Sequence, residues 1–232
     1  LGRIALWFNF KKPKILYNAH GWYFNADIGK KKQFFFSLIE KILAYKTDMI
    51  INISNNEYVS AIKNKTAPSK KRCVIDNGIE FEKFCNLDEK RKKTRKLFSI
   101  NEREILIGVV GRISEQKDPM TMIKAFSCVC QKYSNVKMMF VGTGDEESAI
   151  KEYIVNKGLE KKVIITGWTN KVEDYIPAFD IAILPSKWEG FGLAIIEYMV
   201  CDKPIIASDV GGISDIIENE KNGLLIKKGD YI

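Results

Sequence analysis

The chain has 232 residues, 46% hydrophobic and 28% charged, with a formal net charge of +8. That composition excludes wholesale disorder and supplies core for one large domain or two small ones. No apolar run approaches the roughly 20 residues of a membrane-spanning helix, and the opening LGRIALWFNF lacks the small-residue cleavage site of a signal peptide.

The charge is unevenly spread. Residues 1–98 hold 21 Lys and Arg against 9 Asp and Glu, a net of +12, while residues 99–232 hold 16 against 20, a net of −4. A basic half beside an acidic half suggests two domains, 1–98 and 99–232, with the first facing something anionic. Nucleic acid, an anionic membrane surface and a phosphorylated substrate all qualify on charge alone. Five cysteines without paired C-x-x-C spacing disfavour a disulfide framework or a structural zinc site, and fit a reducing cytoplasm.

Taken in order, KILYNA (14–19) reads as a short buried strand running into His20-Gly21-Trp22. Lys30 to Lys32 open a helical pattern with apolar residues at Phe34, Phe35, Leu38, Ile39, Ile42 and Leu43. The Phe34-Phe35-Phe36 run reads as a core-packed helix start, with insertion into a membrane interface as the alternative. A strand over 48–53, a short helix over 57–65 and a strand over 73–75 follow, ending at the turn Asn77-Gly78. DEKRKKTRK (88–96) reads as a solvated helix face or linker; no stacking aromatics are interleaved as nucleic-acid contact would require.

From residue 104 a regular alternation begins. Apolar strands at 105–111, 136–142, 162–167, 181–186, 203–208 and 223–228 alternate with helical patterns at 119–133, 145–157, 171–178, 193–201 and 212–219. Buried strands alternating with helices predict a parallel, doubly wound α/β sheet of Rossmann type. Ligands bind such sheets beyond the C-terminal strand ends.

Four constellations stand out. Gly111-Arg112, with Lys117 five residues on, sets a planar cationic fork and a compact ammonium at a strand end, suited to a diphosphate. An ordinary surface pair is the other reading. Gly142-Thr143-Gly144 is a weak phosphate-loop signal, because Glu147 stands where the third glycine of a dinucleotide fingerprint would be; a tight turn explains it equally. In SKWEGFGLAIIEYM, Glu189 ends a loop and Gly190-Phe191-Gly192 lets backbone amides approach a ligand. Leu193 then opens a helix carrying Glu197 among apolar neighbours. Glu197 could accept ribose hydroxyls and Glu189 sugar hydroxyls; a solvent-facing helix residue is the alternative for Glu197. His20, the single histidine, follows a strand and precedes a glycine, and is either a site residue or a satisfied structural one. A single histidine excludes a His-rich metal site, and no G-x-S-x-G elbow is present.

Together these segments resemble the retaining glycosyltransferases of family four, the "group one" family with the two-domain GT-B fold. HGWYFN is similar to that family's His-Gly segment, and DNGIEFEKF to its linker motif, with Glu80 where Asp is usual. GRISEQKD resembles the Arg and Lys diphosphate motif, and EGFGLAIIE the paired-glutamate signature. The opening also resembles members that build bacterial surface polysaccharides.

The resemblance implies two Rossmann-like domains facing a cleft, the N-terminal one incomplete here, and a chain truncated at both ends. It implies a nucleotide-sugar donor, with UDP as the nucleotide, and transfer to a lipid-linked or saccharide acceptor with retention of configuration. His20, Arg112, Lys117 and Glu189 would act at the reacting centre. Gly111, Gly142, Gly167, Trp168, Gly190, Phe191, Gly192, Leu193 and Glu197 would bind the donor. Neither metal nor cofactor is expected, and nucleic acid is not a partner. The expected location is cytoplasmic, at the inner face of the membrane. The alternatives are a nucleotide-sugar-binding module without catalysis and a GT-B-type sugar epimerase; a nicotinamide dehydrogenase is disfavoured by the broken glycine fingerprint.

Overall fold

A computed structural model describes residues 2–6 and 13–231. The chain divides into two compact units. The first comprises residues 1–78 with the short segments 188–191 and 211–215; the second comprises the rest.

The first unit opens with helix α1 (Gly2–Ala5), strand β1 (Leu16–Ala19) and helix α2 (Lys30–Tyr45). Strand β2 (Met49–Asn52), helix α3 (Asn55–Lys63) and strand β3 (Arg72–Val74) follow. The three strands form a parallel sheet in the order β1-β2-β3, with Ala19 beside Asn52 and Asn52 beside Val74. Ala19, Trp22, Phe24, Ala44, Ile50 and Ala61 make its core. Trp22 stacks on Phe24, their ring centroids 5.3 Å apart. Helix α3 begins where Ser54 Oγ accepts the Glu57 N–H at 3.1 Å, the usual side-chain cap for an orphan amide.

In the second unit, helix α4 (Leu87–Leu97) precedes β4 (Ile105–Val110), α5 (Pro119–Lys132), β5 (Val136–Val141), α6 (Glu147–Asn156) and β6 (Val163–Ile165). Then come β7 (Ile181–Leu184), α7 (Leu193–Val200), β8 (Ile205–Ser208), α8 (Ile213–Ile216) and β9 (Leu224–Ile226). The first three residues of α8 belong to the first unit. Six parallel strands lie in the order β6-β5-β4-β7-β8-β9. This is the doubly wound arrangement, with the winding direction reversing between β4 and β7. Asp118 caps α5, accepting from Thr121 N, and Pro119 takes the first helical position. The core on one side of the sheet gathers Val109, Ile123, Phe126, Met138, Phe140 and Ile150.

One expectation narrows and two change. Residues 88–96 are the helix of the two readings, not the linker, and one side of that helix is buried. They form most of α4, which belongs to the second unit, and Arg95 is 1% exposed. Arg95 donates to Ala178 O, Asn101 O, Glu104 O and Asp180 Oδ2, while Arg91 Nη2 meets Asp180 Oδ1 at 2.7 Å. Such a buried guanidinium is tolerated because its two terminal nitrogens are met by carbonyls and a carboxylate, although its Nε has no hydrogen-bond partner. Contact clustering puts α4 in the second unit and ends the first stretch of the first unit at Gly78. The segment 171–178 is not one helix but two short 3-10 turns, Val172–Asp174 and Ile176–Ala178. Pro177 contributes no amide hydrogen there, which limits any longer helical ladder. The helical pattern at 212–219 likewise shrinks to the four residues of α8.

Candidate functional site

The strand order fixes where a ligand can enter the second unit. At the β4/β7 reversal, connecting chains leave in opposite directions and open a crevice beyond the strand ends. Gly111-Arg112 follows β4, and Pro185-Ser186-Lys187 follows β7. The two loops are joined: Lys187 N donates to Gln116 O at 2.8 Å, and Lys187 Nζ lies 3.6 Å from Glu115. At the reversal β4 pairs with β7 through Ile107 and Gly108, and Asp180 N donates to Leu106 O at 2.8 Å. Further along, the Val110 N–H donates to the Tyr198 hydroxyl at 2.7 Å, which pins α7 to the end of β4.

Arg112 is exposed at this mouth and Lys117 half-buried. The Lys117 stem lies along Gly111, its Cε 3.4 Å from where a Cβ would stand. Gly142 sits beside them with φ +150°, and a Cβ there would fall 2.0 Å from Gly111 O. The glycine is thus required by backbone packing between the β4 and β5 loops. Gly142 also bridges to Gly167, and the next residue, Trp168, leaves 75% of its surface open. That indole is free in area to stack on a flat ring.

Helix α7 starts at Gly192, which adopts a left-handed conformation (φ +95°), and Leu193 is its first residue. No side chain caps the helix; the Ile195 N–H turns back to Gly192 O at 2.9 Å, and an anion could supply a partner for the amides before it. Glu197 follows on the same helix, half-buried. Burial pushes its carboxyl up to about 7; the neighbouring Glu173 adds to the rise and Lys117 opposes it. A carboxyl deprived of water but facing a lysine is suited to accepting hydroxyl groups that restore its lost hydrogen bonds.

The first unit holds the other candidates. His20 is exposed just beyond the C-terminal end of β1. Its loop is held from beneath by Glu57, which is buried. Trp22 N donates to Glu57 Oε2 at 2.7 Å, Asn25 Nδ2 to Glu57 Oε1 at 3.0 Å, and Trp22 Nε1 to Glu57 O at 3.1 Å. Burial raises the Glu57 carboxyl above its ordinary value, the Trp22 and Asn25 donors pull it back, and Asp215 adds to the rise. Ser54 Oγ caps α3 and donates to Gly190 O at 2.8 Å. Asp215 accepts the Asn56 N–H at 2.8 Å. Gly212 N donates to Glu189 O at 3.1 Å, and a Cβ on Gly211 would fall 1.8 Å from that same oxygen. The start of α3 therefore anchors both the His20 loop and the Glu189-Gly190-Phe191 segment, with Phe191 buried.

The structure thus gathers Gly111, Arg112, Lys117, Gly142, Gly167, Trp168, Gly192, Leu193 and Glu197 in the second unit. His20, Glu189, Gly190 and Phe191 fall in the first. Sequence reading missed Ser54, Glu57, Asp215 and Tyr198. Ser54 with Glu57 carried a signal, since Ser-x-x-Glu before an apolar pattern is a capping box. Tyr198 carried none, because its hydroxyl meets an amide 88 residues away. A separate apolar groove of about 350 Å³ lies against the sheet of the second unit, lined by Ile107, Phe126, Met138 and Ile183 among others. Its lining has no lysine or arginine to meet a diphosphate.

Residues 90–231 match the family described as Glycosyl transferases group 1. The chain is 30% identical to the capsular polysaccharide biosynthesis glycosyltransferase CapM of Staphylococcus aureus over 239 residues, covering 100% of this chain and 61% of CapM. It is 29% identical over 221 residues to the UDP-Gal:alpha-D-GlcNAc-diphosphoundecaprenol alpha-1,3-galactosyltransferase of Escherichia coli, covering 94% of this chain and 57% of that enzyme. Among solved structures, Anabaena HepE, crystallised with UDP and glucose, superimposes with a TM-score of 0.85 at 21% identity, over 99% of this chain and 61% of HepE. Sucrose-phosphate synthase of Thermosynechococcus elongatus superimposes with a TM-score of 0.81 at 22% identity, over 99% of this chain and 58% of that one.

The superpositions define a fold of the GT-B type. The chain belongs to the group 1 glycosyltransferase family and spans about three fifths of the length of these relatives. Among the described residues, no helix is long and apolar enough to cross a membrane.

Proposed function

We propose that the protein moves a sugar from a UDP-sugar to a lipid-linked or saccharide acceptor, with retention of anomeric configuration. The observation that carries this reading is the placement of the half-buried Glu197 on α7 and of Arg112 and Lys117 in the loop after β4, all at the reversal point of the sheet. A nucleotide sugar has the complementary pattern of ribose hydroxyls beside a diphosphate. The E. coli relative, whose name specifies a UDP-sugar and a lipid diphosphate acceptor, and the UDP-bound HepE structure support the choice of donor and acceptor.

In this reading Glu197 accepts the ribose hydroxyls. Arg112 and Lys117 take the diphosphate, Arg112 as a planar fork and Lys117 as a point charge. Gly111, Gly142 and the backbone amides from Gly190 to Leu193 admit phosphate and sugar oxygens closely. Trp168, after Gly167, stacks near the base, and Glu189 holds sugar hydroxyls. His20 contacts the donor sugar near the reacting carbon.

The bond from the anomeric carbon to the diphosphate breaks as the acceptor oxygen attacks from the same face. The departing phosphate oxygen takes the acceptor's proton, so no protein base is required. Charge growing on that phosphate is met by two side-chain cations and a helix N-terminus, the electrostatic stabilisation that a metal would otherwise supply. The proposed setting is the inner face of a membrane.

Calorimetry with UDP-sugars and the 232-residue chain tests the donor site. Glu197→Ala should weaken binding, and unchanged affinity removes the ribose role. Arg112→Ala and Lys117→Ala should weaken UDP-sugar binding far more than uridine binding. UDP-sugar affinity that stays at the wild-type level in both refutes the diphosphate assignment.

A further inference from the structure

Two segments far apart in the chain, His20-Gly21 and Glu189-Gly190-Phe191, lie backbone against backbone in the first unit. A Cβ on Gly190 would stand 3.1 Å from both Gly21 Cα and His20 O, and one on Gly21 would stand 3.7 Å from Gly190 Cα. Gly21 has φ +121°, which a side chain would strain. Two glycines have no side chains to interlock, so their approach must be fixed by the groups around them.

Helix α3 does the fixing. Its first turn follows Ser54 and reads Asn55-Asn56-Glu57, and its polar groups reach three loops. Ser54 Oγ donates to Gly190 O at 2.8 Å, and the Asn56 N–H donates to Asp215 Oδ2 at 2.8 Å. In the usual capping box the glutamate returns to the amide of the capping residue. Here the Glu57 carboxyl crosses to the loop after β1, Oε2 accepting from Trp22 N at 2.7 Å and Oε1 from Asn25 Nδ2 at 3.0 Å. Trp22 is fastened a second time, its ring nitrogen donating to Asn52 Oδ1 at 3.2 Å and to Glu57 O at 3.1 Å. Ser54, Trp22 and Glu57 are all buried. A carboxyl so far from water is unfavourable, and capping does not call for it, since Ser54 Oγ already takes the Glu57 N–H.

We propose that Glu57 is a positioning residue for His20. Through Trp22 and Asn25 it sets His20-Gly21 at a fixed separation from the Glu189-Gly190-Phe191 segment, which Ser54 holds from the same end of α3. The imidazole stays exposed, two residues before the fastened Trp22. An exposed group on a rigid, buried support is what a preorganised site needs. This role rests on the transferase reading, in which His20 and Glu189 meet the same sugar, and adds the residue that sets the distance between them.

The α-protons of Gly21 and Gly190 report that separation by nuclear Overhauser contact in the 232-residue chain labelled with carbon-13 glycine. The contact should be present in the wild-type chain and lost in Glu57→Ala. Glu57→Gln should keep it. The Asn25 amide can turn over, so that its oxygen accepts from the new amide and its nitrogen donates to Ser60 Oγ, which in the wild type donates to Asn25 Oδ1 at 2.6 Å. Hydrolysis of UDP-glucose gives a second readout. Glu57→Ala should lower kcat and kcat/KM together by about 100-fold, the order of loss for a group displaced by about 1 Å, and Glu57→Gln should restore most of it. Ala61→Gly, which loosens the buried core on the same helix, should lower the melting temperature and leave contact and rates in place. Asn25→Ala removes one of the two donors to Glu57, should weaken both readouts in the same direction, and decides the matter if Glu57→Ala does not fold. Contact and rates that survive Glu57→Ala, or that survive Asn25→Ala where Glu57→Ala is unfolded, overturn the proposal. So does an equal loss in Ala61→Gly. A wild-type chain that turns over no UDP-sugar counts against the transferase reading alone, because the α-proton contact needs no turnover.

Discussion

Replacing Glu197 with glutamine should make the folded chain more stable, and more so at alkaline pH. The carboxyl titrates at about 7 when folded, against an ordinary value of 4.5, chiefly because burial disfavours its charge. A carboxylate raised on folding costs nothing below the unfolded value, where both states are protonated. The cost grows between the two values and is complete above the folded one. The gap corresponds to about 3 kcal/mol at most, and partial solvent access lowers it toward about 2 kcal/mol. Glutamine keeps the shape and the acceptor oxygen but never ionises. The gain from Glu197→Gln should therefore be about 2 kcal/mol larger at pH 8 than at pH 5. Urea unfolding at the two pH values measures it. At pH 8 the melting temperature should rise by about 2–4 °C per kcal/mol. A gain equal at both pH values would show that Glu197 is not held above its ordinary value, and would remove the desolvated acceptor from the site. UDP-sugar affinity of the same variant should fall, so the residue would trade stability for binding.

Three further outcomes follow from packing. Asp180→Asn should destabilise the second unit by about 3 kcal/mol in urea, because it leaves the buried Arg95 guanidinium without its carboxylate. Burial alone would raise the Asp180 carboxyl, but the Leu106 amide, Arg91 and Arg95 outweigh it and hold it below the ordinary value. Its stabilisation is thus present at neutral pH and lost as pH falls below about 4, and the asparagine variant should show a flatter acid limb. Gly142→Ala should cost more than about 3 kcal/mol by thermal melting, since the new Cβ meets Gly111 O at 2.0 Å; Gly158→Ala, with φ +63° and open space, should cost about 1 kcal/mol. Ser54→Ala removes the α3 cap and the donor to Gly190 O. It should cost about 1 kcal/mol in stability and raise the Kd for UDP-sugar, and Ser54→Thr should restore both.

Much of the fold was legible because it rests on local pattern. The run of β-branched residues in ILIGVV and the Asp-Pro start of α5 depend on neighbours a few positions away, so their strand and helix appear where expected. The motifs around Arg112, Lys117, Glu189 and Glu197 were legible for the same reason: each is a short spacing at a strand or helix end. The lysine-rich segment before residue 98 is the helix of one of its two readings, but composition reports average polarity and could not show the buried Arg95 with its four partners.

By itself, then, the sequence determined the α/β class, the doubly wound second half, the candidate cations and carboxylates and the glycosyltransferase family. Tertiary structure alone decided three things. Strand order put the winding reversal between β4 and β7, because pairing partners are chosen across the sheet and not along the chain. Desolvation raised Glu197, because burial depends on what Glu173, Lys117 and the surrounding fold leave open to water. Packing on one side of α2 left its second apolar face outward, because helical period gives two candidate faces and only the neighbouring sheet selects between them.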